Sequence, residues 1–209
     1  MPSYKNHLLF SLIIALLATA PFFPHVFYLS LAVIGASIVD LDHPVRSKNL
    51  LLLALFGIIL VLILYIFQIS ILLGLTLILL SLIFFISAHR GFMHSIIGVT
   101  VIAALLTLFT FSTFELLNNF SLPTTPSMAI ISVFLGIMIL NKQIVPYYVI
   151  LGILGIFLMP NAFFNSYYVF IALLLGSMSH ITLDMLTGGG VALLSPLSSK
   201  KFGKRVWIL

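Results

Sequence analysis

The 209-residue chain contains no cysteine, which excludes disulfides and thiolate metal sites and leaves only imidazole and carboxylate to hold a metal. Charge is almost as scarce. Asp and Glu number 4, Lys and Arg 9, and charged residues make up 6% of the sequence. No extensive basic surface is present, so nucleic acid is not an expected partner. No long polar stretch is left over either, which excludes a separate soluble domain. What fills the chain is hydrocarbon: apolar residues reach 62%, in runs that approach or exceed the ~18–20 residues that span a bilayer core. The expected architecture is all-α, a polytopic integral membrane helical bundle forming a single transmembrane domain over residues 1–209.

Polar and proline-bearing breaks at 21–24, 42–49, 68–70, 89–94, 115–126, 141–146 and 160–165 divide the chain into eight apolar helical segments. Met128 to Leu140 and Tyr147 to Met159 are the short ones and are candidates for tilted or re-entrant segments. Lys5, Leu8 to Leu17 and Ala18-Thr19-Ala20 imitate a secretory signal, but Pro21 directly follows the apparent cleavage site, so an uncleaved first helix is expected. No internal repeat is evident.

With the N-terminus placed in the cytoplasm, alternation of the segments puts Lys5, Arg46, Lys48, Arg90, Lys142, Lys200, Lys201, Lys204 and Arg205 inside and Glu115 outside, as the positive-inside rule requires. Both termini are therefore expected to be cytoplasmic in a multi-pass protein of the cytoplasmic membrane. The stretch from Ser198 to Leu209, with Trp207, reads as an interfacial anchor, and His25, on the opposite face, as an interfacial residue.

The same alternation gathers the polar islands. Three of the four acidic residues lie in islands with histidine: Asp40-Leu41-Asp42-His43-Pro44, His89-Arg90-Gly91-Phe92-Met93-His94-Ser95, and His180 to Asp184. His7 stands on the same side. A carboxylate near a bilayer costs roughly 2.5–3.5 kcal/mol, so it is rarely there without a partner or a task. His180 and Asp184 are i and i+4 on one helix face. Asp40 and His43 are i and i+3, with Asp42 turned elsewhere unless the helix has ended, and Pro44 favours an ending. His89 and His94 diverge by ~140° on an ideal helix, and Gly91 can break that helix so that both face inward. Arg90 offers a planar fork suited to phosphate or carboxylate, and Ser95 a cap for the following helix. His7, Asp40, Asp42, His43, His89, His94, His180 and Asp184 are thus the candidate metal ligands, with Asp40 ranked ahead of Asp42. Zinc is the first expectation, with manganese or iron behind it, because mixed imidazole and carboxylate sites accept all three.

The runs Asn6 to Ser11, Asp40 to Pro44, His89 to Ser95 and Ser179 to Thr187, followed by Gly190, Leu193, Leu194 and Pro196, resemble the LexA-binding, inner-membrane-associated hydrolase family (YdjM-like) across almost the whole chain. The resemblance implies an integral membrane, metal-dependent hydrolase. Val39 stands where that family often has proline, and Met93 where it usually has threonine, which removes a hydroxyl beside His94. The ligand types are similar, more distantly, to zinc-dependent phospholipase C and single-strand nucleases. A metal-dependent hydrolysis is the implied reaction, with Arg90 favouring a phosphate ester over an acyl ester and Asp42 a candidate general base. Membrane lipids are the expected surroundings, and a phospholipid or other small amphiphile the expected substrate. The alternative is a divalent-cation transporter or a metal-binding membrane protein without turnover.

Overall fold

The computed structural model describes residues 4–22, 25–42, 47–87, 91–159, 163–186, 190–198 and 200–203. Among them the chain is all-helical, with eight α-helices: α1 (Tyr4–Phe22), α2 (Val26–Ile38), α3 (Ser47–Ile66), α4 (Leu72–Ile86), α5 (Ile96–Asn119), α6 (Thr124–Ile139), α7 (Val145–Leu158) and α8 (Ser166–Met185). Two short 3-10 turns interrupt the pattern, Val39–Asp42 after α2 and Phe92–His94 before α5.

Local chemistry sets most of the boundaries. The α5 start is capped by Ser95, whose Oγ accepts the Gly98 N–H at 3.0 Å, and the α8 start by Asn165, whose Oδ1 accepts the Tyr167 N–H at 2.9 Å. The break expected over 115–126 is much narrower in the structure. Helix α5 continues past Glu115 to Asn119, and α6 already contains Pro126 in its first turn. Proline is tolerated there because the first-turn N–H groups have no partner within the helix. Pro146 plays the same part at the start of α7.

Helix α2 is the axis of the bundle: ten of its thirteen residues are buried, and it packs against α1, α6, α7 and α8. Its closest partner is α8. A Cβ on Gly35 would collide with the Leu173 carbonyl, and one on Gly176 with the Ala32 carbonyl. Only glycine at both positions lets the two backbones meet. Ser177 Oγ then donates across the seam to the Gly35 carbonyl at 2.9 Å, and Ser11 of α1 donates to the Ala32 carbonyl at 3.2 Å. On the other flank Ser30, Ser132 and Tyr148 join α2, α6 and α7 in a hydroxyl chain with steps of 3.0 and 2.9 Å.

His25, expected as an interfacial residue, takes the N-cap position of α2. It is buried, with Nδ1 accepting the Phe27 N–H at 3.2 Å. Burial pushes its imidazole below the ordinary histidine value, against the opposing pull of the Met159 and Ile156 carbonyls.

The outside of the bundle is as apolar as the inside. Helix α3 exposes Leu51, Leu55, Ile59, Leu62, Tyr65 and Ile66 along its outward face, and α7 exposes Tyr147, Ile150, Leu151, Leu154 and Leu158. Water does not tolerate contiguous hydrocarbon on this scale. Among the described residues two helices, α5 and α8, are long and apolar enough to cross a membrane.

Candidate metal centre

Four helix ends meet at one end of the bundle. They are the first turns of α1 with His7, the 3-10 turn after α2 with Asp40, the turn before α5 with His94, and the last turns of α8 with His180 and Asp184. Each is placed by its own local rule. His180 and Asp184 share a face of α8 one turn apart, and the Gly35–Gly176 seam carries that face up to the end of α2. His94 is placed by a tight fold. Gly91 precedes it, the His94 N–H returns to the Gly91 carbonyl at 3.2 Å, and the Ser95 N–H to the Phe92 carbonyl at 3.0 Å. Gly98 is required in this fold, because a Cβ there would collide with the Phe92 carbonyl. The segment after α8 folds back over the same end: Val191 and Phe202 exchange two backbone hydrogen bonds at 2.8 Å, and the Leu193 carbonyl accepts the Ile96 N–H at 3.0 Å.

Two overlapping trios can hold an ion, His7 with His180 and Asp184, and Asp40 with His94 and His180; within each trio the ligand atoms lie within 4.8 Å of one another. Asp184 faces both ways. Its Oδ1 lies 3.4 Å from His7 Nε2, and its Oδ2 lies 3.4 Å from His180 Nε2 and 3.6 Å from His94 Nε2. Asp40 Oδ1 lies 3.5 Å from His180 Nε2. The His7 ring stacks on His180 with centroids 4.0 Å apart, and His94 meets it edge-on at 5.6 Å. Burial is graded. The His180 side chain is 1% exposed and that of Asp184 10%, whereas Asp40, at 37%, stands at the mouth.

The donor set fits a cation. His180 Nδ1 lies 2.7 Å from the Ala36 carbonyl, and a carbonyl only accepts, so Nδ1 carries the proton. In the neutral ring Nε2 then holds a lone pair, buried and without a hydrogen bond, and it faces the two carboxylates. A nitrogen facing two carboxylates calls for a positive charge between them, which a proton on Nε2 or a bound cation can supply. The separations are also too long for charge-assisted hydrogen bonds, which run ~2.7–2.9 Å. They approach the edge of a tetrahedral shell, about 3.3–3.4 Å for bonds of ~2.0–2.1 Å.

Of the residues singled out from sequence, the structure brings together His7, Asp40, His94, His180 and Asp184. His43, His89 and Arg90 lie outside the described residues, as does the Asp42 side chain. Asp42 belongs by backbone to the same 3-10 turn as Asp40. Met93, which occupies the place of the expected hydroxyl, is fully buried in the apolar core. The Ala36 carbonyl was not anticipated, since a main-chain acceptor leaves no mark in the sequence. The seam that presents it did leave one, the small residues Gly35-Ala36-Ser37 and Gly176-Ser177 within apolar helices.

No curated protein and no solved structure matches the chain. A match to the family model described as YdjM inner membrane protein runs over residues 1–209, and with the islands of that resemblance meeting at one bundle end, the chain belongs to the YdjM inner membrane protein family.

Proposed function

We propose that this inner membrane protein is a polytopic, metal-dependent hydrolase that cleaves a phosphate ester of a lipid or other amphiphile at the cytoplasmic membrane surface. The observation that carries the reading is His180: its tautomer is set by the Ala36 carbonyl, and its free nitrogen is aimed at Asp40 and Asp184 at distances that suit shared coordination. His7, His94, His180, Asp184 and Asp40 would hold the ion, with zinc ahead of manganese and iron for this ligand chemistry. When bound, a divalent ion supplies Lewis acidity toward a phosphoryl oxygen and makes water acidic near neutral pH. The exposed side of Asp40 leaves the mouth open to a head group. Arg90, two residues before the turn that carries His94, is proposed to bind the phosphate oxygens, and Asp42, two residues after Asp40, to accept a proton from water.

Several features support the polytopic arrangement. Helices α1 and α3 run 19 and 20 residues, close to the length of a span, and the apolar circumference of the bundle continues over α3, α4 and α7. Four helix ends at one pole agree with segments that alternate in direction, with both termini inside. The ligands stand at helix ends rather than in the middle of broken helices, which favours surface chemistry over cation transport.

The test offers metal-loaded protein in detergent a panel of lipid phosphates and follows released phosphate or head group, with Asp184→Asn as the inactive control. Turnover abolished by chelator and by Asp184→Asn is the expected result. Ion flux into liposomes with no hydrolysis of any member of the panel would replace the enzyme with a carrier.

A further inference from the structure

Between α3, α4, α5 and α6 lies a cavity of about 590 Å³, inside the ~300–1,000 Å³ range of small-molecule sites. Its inner wall includes Leu80, Leu106, Phe109 and Leu135, all buried, while Phe56 of α3 and Ile137 of α6 stand exposed at its outer rim. Asn141 and Lys142, just after α6, supply its polar end, and no acidic residue lines it among the described residues. Ile38, the last residue of α2, also lines it, two positions before Asp40. The cavity therefore runs from near the bundle end that gathers the histidines and aspartates down between the apolar helices.

We propose that this cavity holds a hydrocarbon chain of an anionic membrane lipid bearing a phosphate monoester, and that the Lys142 ammonium meets the phosphate. Water has almost no hydrogen-bond partners along these walls, so it is a poor occupant. A single alkyl chain matches apolar walls of this kind lengthwise. The rim opens through exposed apolar side chains, the direction from which a lipid tail arrives. Among the described residues that line the cavity, Lys142 is a cation and none is an acid, a lining that favours an anion, and lysine binds phosphate as a point charge. As the chain-holding subsite of the proposed hydrolase, the assignment rests on that reading; as a lipid site, it is tested without it.

The test places one fluorescent probe in the wall, Phe109→Trp with Trp207→Phe, and titrates metal-free protein in detergent with phosphatidate brominated in its acyl chains. The expected result is quenching that saturates near one lipid per chain, weakened about tenfold by Lys142→Gln and about as much when brominated diacylglycerol, which lacks the phosphate, replaces phosphatidate. A probe at Leu151 on the outer face of α7 should show no saturable component. Quenching at 109 no more saturable than at 151, or a lipid preference indifferent to Lys142→Gln, overturns the proposal. If Phe109→Trp does not fold, native mass spectrometry of the unaltered chain and of Lys142→Gln reads the same preference as retained phosphatidate. His180→Ala separates the two readings. Lipid binding kept with turnover lost leaves the cavity standing, and lipid binding absent from a protein that still turns over water-soluble phosphate esters removes the cavity alone.

Discussion

Replacing Asp184 with asparagine keeps the shape of the side chain and removes its charge, and the geometry gives the consequence. The two Asp184 oxygens face three imidazole nitrogens at 3.4, 3.4 and 3.6 Å, whereas Asp40 lies 3.5 Å from His180 Nε2 and within 4.8 Å of the His94 ligand atom. Asp184→Asn halves the carboxylate charge of the described cluster and turns an amide N–H₂ toward nitrogens that should donate lone pairs. Loss of an outer hydrogen-bond partner of a metal ligand alone costs ~10–100-fold in affinity, so losing this inner donor should cost more than about 100-fold, or more than ~2.7 kcal/mol. Asp40→Asn should cost about tenfold, since its side chain is 37% exposed and water can take its place. The assay is competition for zinc against a chelator of known affinity, with elemental analysis of the purified protein and circular dichroism to confirm helicity. Equal losses for the two variants, a larger loss for Asp40→Asn, or unchanged metal content in Asp184→Asn would refute the cluster as a coordination site.

Gly176→Ala puts a Cβ against the Ala32 carbonyl, a backbone atom that cannot step aside, so α2 and α8 must part. A loss of ~1–3 kcal/mol is expected from thermal unfolding in detergent, together with lowered metal content. Gly152→Ala is the internal contrast. Its new methyl would meet only Ser132 Oγ at 3.7 Å, so this variant should be neutral or gain up to ~1 kcal/mol. Ser95→Ala removes the α5 cap and should cost about 1 kcal/mol by the same measurement. His25 is held below its ordinary pKa in the fold, so the unfolded chain takes up the proton first; its contribution is full above about pH 6.5 and is lost as the pH falls. Melting temperatures measured between pH 7.5 and pH 5 should drop less steeply in His25→Asn, which caps without titrating, than in the unaltered chain.

The sequence by itself determined the helical class, the apolar exterior and the short list of polar residues, because each is a property of composition or of spacing along one helix. His180 and Asp184 had to share a face, and alternation of apolar segments had to bring His7, Asp40, His94 and His180 to the same pole of the bundle. Breaks were legible only coarsely. Proline and polar residues near 115–126 read as a long loop, yet a helix accepts both in its end turns. That His25 caps α2 was not legible, because a cap depends on where the helix begins. Tertiary structure alone decided that Asp184 lies within 3.6 Å of three histidines while Asp40, among the described residues, comes that close to His180, that His180 is oriented by a backbone carbonyl from α2, and that a cavity remains between α3 and α6. The placing of His180 depends on how closely the α2 and α8 backbones approach, which Gly35 and Gly176 permit, and the cavity on how four other helices pack; both are contacts between residues far apart in the chain that no periodicity within a single segment encodes.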